Sequence, residues 1–194
     1  ARMHDSVHAL NDARPSHAAA TLRVDYRHAS LDALLADRHL LAVFGFGDTA
    51  PASHDDPRYL HVALPALGDP PFECWSVAGD VRCGRDGAIA WSTDGLLQFG
   101  ALEFADAGGI EGAAEQAYLK LQAWLAHGEF PHALRIWNYM DAITEGHGDH
   151  ERYRRFCVGR ARGIGRDLVP GELPAATAIG HPRRSGRFQW YWLA

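Results

Sequence analysis

The densest run of chemistry-bearing side chains is Asp149-His-Glu-Arg-Tyr-Arg-Arg-Phe-Cys-Val-Gly-Arg160. At helical spacing, Tyr153, Phe156, Cys157, Arg160 and Ile164 share one face. Arg160 then stands in line with residues that pack inward, where an unpaired guanidinium is very costly. Two readings follow. Arg160 receives a ligand carboxylate, with the Tyr153 hydroxyl beside it, or it makes an internal ion pair or snorkels to water. Periodicity alone favours the second. Arg152, Arg155, Arg162 and Arg166 read as a solvated face, and Cys157 reads as a buried structural thiol.

A second signal is Leu134-Arg-Ile-Trp-Asn-Tyr-Met140. Strand alternation puts Arg135, Trp137 and Tyr139 on one side and Leu134, Ile136, Asn138 and Met140 on the other. Arg beside two aromatics makes a wall for a planar anion, and Asn138 on an apolar face must find hydrogen-bond partners. An ordinary amphipathic strand explains the same pattern. His147-Gly-Asp-His150 reads as a turn, because no further ligand completes a metal motif. Cys74 and Cys83, separated by eight residues, have no zinc spacing. Gly159-Arg-Ala-Arg-Gly163-Ile-Gly165 falls within or after a helix, so it is no phosphate loop. No GxSxG elbow occurs.

These side chains must be held by a framework of strands and two good helices. Strands are expected at Leu22–Arg27, Leu40–Gly47, Tyr59–Leu67, Phe72–Val77, Leu96–Phe104 and Ala133–Met140, with a hairpin over Val81–Thr93 turning at Arg85-Asp86-Gly87. Ser30 caps a short helix to Asp37. Ile110–His127 has the clearest helical period, with Ala114, Tyr118, Leu121 and Leu125 on one stripe and Gly128 as a C′ residue. Asp149–Ile164 is the second helix, with Asp149 as N-cap. Ala175–Gly180 and Arg187–Leu193 read as a final strand pair joined by His181–Gly186. The expected fold class is α+β, a mixed β-sheet with helices on one face. Residues 1–20, polar and His-rich, read as a flexible arm. The aromatic strand Arg187–Leu193 is either central in the sheet or an edge left by a cut chain.

At 194 residues, with 47% apolar and 22% charged side chains, the chain has an ordinary globular composition. No apolar run approaches a membrane span. The polar N-terminus carries no secretory signal, and three Cys make no disulfide scaffold, so a cytoplasmic protein is expected. A net charge of −5 argues against a general nucleic-acid binder. The charge is uneven. Residues 1–131 hold nine Arg or Lys against eighteen Asp or Glu, whereas residues 132–194 hold ten against six. All but one of the nineteen bases are Arg. An anionic partner is therefore sought in the last third, where Arg forms bidentate pairs with carboxylates.

Leu134-Arg-Ile-Trp-Asn-Tyr139, Glu151-Arg-Tyr-Arg-Arg-Phe-Cys-Val-Gly-Arg160, Pro174-Ala-Ala-Thr-Ala-Ile-Gly180 and Tyr191-Trp-Leu-Ala194 together resemble the chorismatase family. The motifs follow in order over residues 134–194. The resemblance implies a Rid/YjgF-like (chorismate-mutase-like) fold for residues 21–194. It implies hydrolysis of the enolpyruvyl ether of chorismate to pyruvate and 3-hydroxybenzoate, 4-hydroxybenzoate or a dihydrodiol, without metal or organic cofactor. The substrate-binding candidates it carries over are Asn138, Tyr139, Tyr153, Arg154 and Arg160. Family members are longer by about a domain. The general acid, a Glu in the family, has no counterpart here and is expected beyond Ala194. This chain then reads as an N-terminal half, inactive alone, whose partners are chorismate, the C-terminal half and a further copy of the fragment. The alternatives are a non-catalytic Rid-like module for small anions and an oligomerisation domain.

Overall fold

The computed structural model describes residues 21–165, 173–181 and 186–194. The expected arm over residues 1–20 and Arg166 lie outside them. The elements run β1 (Arg23–Arg27), α1 (Leu31–Leu35), β2 (Leu40–Phe46), β3 (Tyr59–Val62), β4 (Phe72–Ser76), β5 (Arg82–Asp86), β6 (Ile89–Thr93), β7 (Gln98–Ala105), α2 (Ile110–His127), β8 (Arg135–Asp141), α3 (Arg152–Ile164), β9 (Ala175–His181) and β10 (Arg187–Leu193).

The α+β class holds, but the strands divide into two sheets where one was expected. The first has the order β1-β4-β2-β3 and the second β5-β6-β7-β10-β8-β9. Each is mixed, with one parallel pair, β2 with β3 and β8 with β9. Chain order cannot reveal this split, because antiparallel strands from one run pair equally well in one sheet or two. The expected final pair is also corrected. β9 pairs parallel with β8, and β10 inserts between β7 and β8.

β10 is therefore a central strand, and its composition explains why. Phe188, Trp190 and Trp192 face α2 and α3 together with Ile136, Met140 and Leu102. Tyr191 and Leu193 face the first sheet, where they meet Phe44 and Trp75 alongside Phe99 of β7. Both faces are covered, so both carry large apolar side chains. The layers run from α2 and α3, through the six-stranded and four-stranded sheets, to α1 on Leu40, Val43, Tyr59 and Cys74. Gly100 in β7 is demanded by packing, because the Trp192 indole occupies the space of any side chain there.

Helix α1 forms as its sequence indicates, with the Ser30 hydroxyl accepting from the Ala33 N–H. Its far end is stapled by Arg58. This guanidinium donates to the carbonyls of Leu35 and Asp37 and pairs with Asp56 at 2.7 Å. Burial alone would raise the Asp56 carboxyl, but hydrogen bonds from the Arg58 side chain and backbone outweigh it and hold it below its ordinary value.

Helix α2 has its expected bounds but ends differently: Gly128 has φ −92°, extended rather than left-handed. Helix α3 starts at Arg152, and Asp149 is not its N-cap. Asp149 lies in a 3₁₀ turn, Gly148–His150, and pairs with Arg154 at 3.0 Å. Helices α2 and α3 approach at backbone contact. Gly159 and Gly163, four apart on one face of α3, lie against the main chain of Glu111 and Glu115 in α2, where a Cβ on either glycine would strike a carbonyl oxygen. The glycine-rich stretch Gly159–Gly163 is thus a helix-packing device.

Gly159→Ala is expected to cost about 1–3 kcal/mol by overpacking. Gly112→Ala in α2, where nothing lies within 4 Å, is expected to stabilise by up to about 1 kcal/mol. Urea unfolding of the two variants checks both. For Asp56, whose folded pKa is depressed, the stabilisation is full above the ordinary carboxylate pKa of about 3.9. It is lost as pH falls through the folded value. The stability gap between wild type and Asp56→Asn should therefore be full at neutral pH and close as pH falls below the ordinary carboxylate value of about 3.9.

Candidate functional site

Strand alternation in β8 places Asn138 and Tyr139 on opposite faces of the six-stranded sheet, as the spacing requires. Asn138, 1% exposed, faces the helices. Its Oδ1 accepts from the Tyr118 hydroxyl at 3.0 Å, and its Nδ2 donates to the Thr177 carbonyl of β9 at 3.0 Å. The hydrogen-bond demand of this buried amide is met by α2 on one side and β9 on the other. Over the Tyr118 ring lies the Arg160 guanidinium, 5.6 Å from the centroid. Burial raises the Tyr118 phenol, while Arg160 and Asn138 act in the opposite direction.

Arg160 is half-buried, and its Nε is buried without a hydrogen-bond partner. Among the described residues no carboxylate pairs with it, so of the alternatives favoured by periodicity, an internal ion pair or a snorkelling side chain, the ion pair does not form there. Tyr153, one turn before Cys157, is exposed and stacks on Phe156 at 6.1 Å. Cys157, through charge and a hydrogen bond, holds the Tyr153 phenol above its ordinary value. Arg160, Tyr118, Asn138 and Thr177 form one polar line from α3 through α2 to β8 and β9, and Tyr153 shares the face of α3 that bears Arg160.

The other two candidates lie elsewhere. Arg154 is exposed and pairs with Asp149 and Glu151 on the outside of α3. Tyr139 lies between the sheets, stacked on Tyr191 at 5.6 Å, with the two hydroxyls 3.1 Å apart. Burial raises both phenols. A hydrogen bond from Tyr191 offsets part of the rise at Tyr139, whereas the neighbouring Tyr139 adds to it at Tyr191. Arg135 lies 5.1 Å over the Trp137 ring and donates to Thr177 Oγ1 at 3.0 Å.

Arg152 is not on a solvated face. It donates to the Asp141 carbonyl at 2.7 Å and to Asp141 Oδ1 at 2.9 Å, and it also pairs with Asp106. Asp141 Oδ2 in turn accepts from the Gly186 N–H at 2.9 Å. This buried network ties the start of α3 to the ends of β7 and β8 and to the entry of β10. Arg155 and Arg162 are exposed and share the Glu111 carboxylate. Cys157 is partly exposed rather than buried. Among the described residues, no group of three or more His, Cys, Asp or Glu stands together as a metal site. No described helix is long and apolar enough to cross a membrane.

Tyr118 was missed by sequence reasoning as a site residue, although it was placed on the apolar stripe of α2. The available signal was its hydroxyl, which must find a partner when buried. Thr177 gave no signal, because its contribution is a backbone carbonyl.

Comparisons with known proteins converge. The N-terminal domain family of FkbO/Hyg5-like chorismatases matches residues 73–194. A chorismatase of Streptomyces hygroscopicus is 33% identical over 110 residues, 56% of this chain and 32% of that protein. A chorismatase of Streptomyces rapamycinicus is 30% identical over 124 residues, 63% of this chain and 36% of that protein. A crystal structure of a chorismatase superposes with a TM-score of 0.71 at 28% identity, covering 91% of this chain and 54% of the other. The matched part thus spans about a third of the curated relatives and about half of the solved one.

Tyr118→Phe leaves the Asn138 carbonyl oxygen buried without its donor. It is expected to lower stability by about 1–3 kcal/mol, read as a lower urea midpoint at unchanged m.

Proposed function

Because this chain belongs to the FkbO/Hyg5-like chorismatase family through its N-terminal domain, we propose that it is the N-terminal, Rid-like half of an enzyme that hydrolyses the enolpyruvyl ether of chorismate. In this reaction a general acid delivers a proton to the methylene carbon of the enol ether. Water adds to the resulting oxocarbenium carbon. The hemiketal then collapses to pyruvate and the ring alcohol, which leaves as a dihydrodiol or loses one water to become 3- or 4-hydroxybenzoate. The acid must be protonated near neutral pH, and a carboxyl group achieves this through burial. Among the described residues no carboxyl group on the polar line of α3 is placed for this role, and we assign the acid to the second half, beyond Ala194.

The observation that carries the reading is Arg160. A partly buried guanidinium with an unpartnered Nε and no described carboxylate beside it is a receptor for an anion from outside. Chorismate brings two carboxylates. Arg160 takes one of them, with the Tyr153 hydroxyl beside it on the same face. Tyr118 and Asn138 hold this face of α3 in register with β8 and are positioning residues. Arg154 lies on the outside of α3 and Tyr139 on the other side of the sheet, so neither is given a role in this contact.

Pyruvate release from chorismate is measured for the 194-residue chain and for the product of the uninterrupted reading frame. Release by the longer protein alone is the expected result. Release by the short chain would overturn the placement of the acid beyond Ala194. Release by neither would favour a non-catalytic anion-binding module. In the longer protein Arg160→Gln is expected to lower kcat/KM by roughly 10–150-fold, the equivalent of one charge-assisted contact of about 1.5–3 kcal/mol. Unchanged kinetics in that variant would remove Arg160 from the site.

A further inference from the structure

Between the two sheets, past the end of the aromatic core, lies a cavity of about 230 Å³ that the reaction above does not use. Leu64 supplies apolar wall, and Tyr139, His61, Gln189, Glu103 and Arg187 supply the polar groups. Glu103, Gln189 and Tyr139 are direct cross-strand neighbours on β7, β10 and β8. One row of the six-stranded sheet is thus polar where the next row on the same face carries the aromatic rings of Tyr191 and Trp137.

The hydrogen-bonding character of each group follows from its partners. Tyr139 is 8% exposed and shares one hydrogen bond with Tyr191. Two hydroxyls have two hydrogens, so one is left over. Tyr191 is packed by Phe44, Phe99 and Trp137, where a hydroxyl hydrogen turned away from Tyr139 would be stranded. Tyr191 therefore donates, and the Tyr139 O–H is left to point at the cavity it lines. His61 Nε2 lies 2.8 Å from the Gly47 carbonyl, which only accepts. The ring proton sits on Nε2, and Nδ1 offers a lone pair. The Gln189 amide nitrogen donates to the His61 carbonyl at 2.8 Å and to Glu103 at 2.9 Å. Its carbonyl oxygen remains an acceptor. Arg187 pairs with Glu103 at 2.9 Å, so the charges at the rim cancel.

A carboxylate entering here would meet Glu103 and find Arg187 already committed. An apolar ligand would bury the Tyr139 hydroxyl without an acceptor. A hydroxyl group both gives and takes a hydrogen bond, which matches a wall of mixed donors and acceptors with cancelling charge. We propose that this cavity binds a small uncharged molecule of a single ring's size bearing neighbouring hydroxyls. One hydroxyl oxygen accepts from Tyr139, and the hydroxyl hydrogens go to His61 Nδ1 and Gln189 Oε1. The site does not depend on the carboxylate contact at Arg160, which lies across the six-stranded sheet.

The test is an NMR titration of the 194-residue chain with cis-1,2-cyclohexanediol and myo-inositol, with benzoate as the anionic probe. Saturable binding of at least one polyol is expected, with shifts at the backbone amides of His61, Tyr139 and Gln189. Tyr139→Phe keeps the ring stack and should weaken binding at least tenfold. Arg160→Gln should leave it unchanged, which separates this site from the chorismate contact. No saturable polyol binding, undiminished binding in Tyr139→Phe, loss in Arg160→Gln, or tighter benzoate binding at the same amides would each overturn the proposal. The shift map of the wild-type chain stands by itself if Tyr139→Phe does not fold.

Discussion

Everything on the helical side of this molecule depends on how closely α3 lies against α2. Gly159 and Gly163 remove the side chains that would hold the two backbones apart, and Arg160 stands between them. At that separation the Arg160 guanidinium reaches the Tyr118 ring. A side chain at either glycine would push α3 outward and take Arg160 with it. The contact also brings Arg155 and Arg162 to Glu111, so ionic contacts flank the glycine contact. These exposed pairs contribute little by themselves. The register they reinforce is set by steric contact, which does not tolerate displacement.

The six-stranded sheet separates two kinds of chemistry. On its helical face a buried amide, a phenol and a guanidinium follow one another across α2, α3 and β8. On its other face aromatic rings fill the space between the sheets until the row Glu103, Gln189 and Tyr139 replaces them with polar groups. Adjacent residues in β8 therefore serve different sites. Strand β10 makes this possible. It carries aromatic side chains on both faces and lies between β7 and β8, which bear the polar groups.

The network around Arg152 performs a related task at one end of the molecule. Asp106, Asp141 and the Gly186 N–H come from three separate places in the chain and converge on one guanidinium or its carboxylate partner. Such a group tolerates burial because the guanidinium and both carboxylates are held in ion pairs and hydrogen bonds. It anchors the first turn of α3, where a side-chain N-cap is lacking.

The sequence by itself determined most of the elements. The 3.6-residue period of Ile110–His127 gave that helix its bounds, Ser30 capped α1, and strict alternation in Arg135–Met140 put Asn138 and Tyr139 on opposite faces. The motifs of residues 134–194 led to the family. These features are local, because periodicity and capping act over a few residues. Tertiary structure alone decided that the strands form two sheets, that β10 is central, that Arg152 is partly buried and ion-paired while Arg155 is exposed, and that Tyr118 completes the polar line. Each of these rests on a partner 40 or more residues away or on a choice among equally good strand pairings, except the Tyr118–Asn138 bond, which spans 20 residues, and the Arg152–Asp141 pair, which spans 11. Local propensity carries no information about which distant group will satisfy a buried charge or an unpaired strand edge, and only the packed fold supplies it.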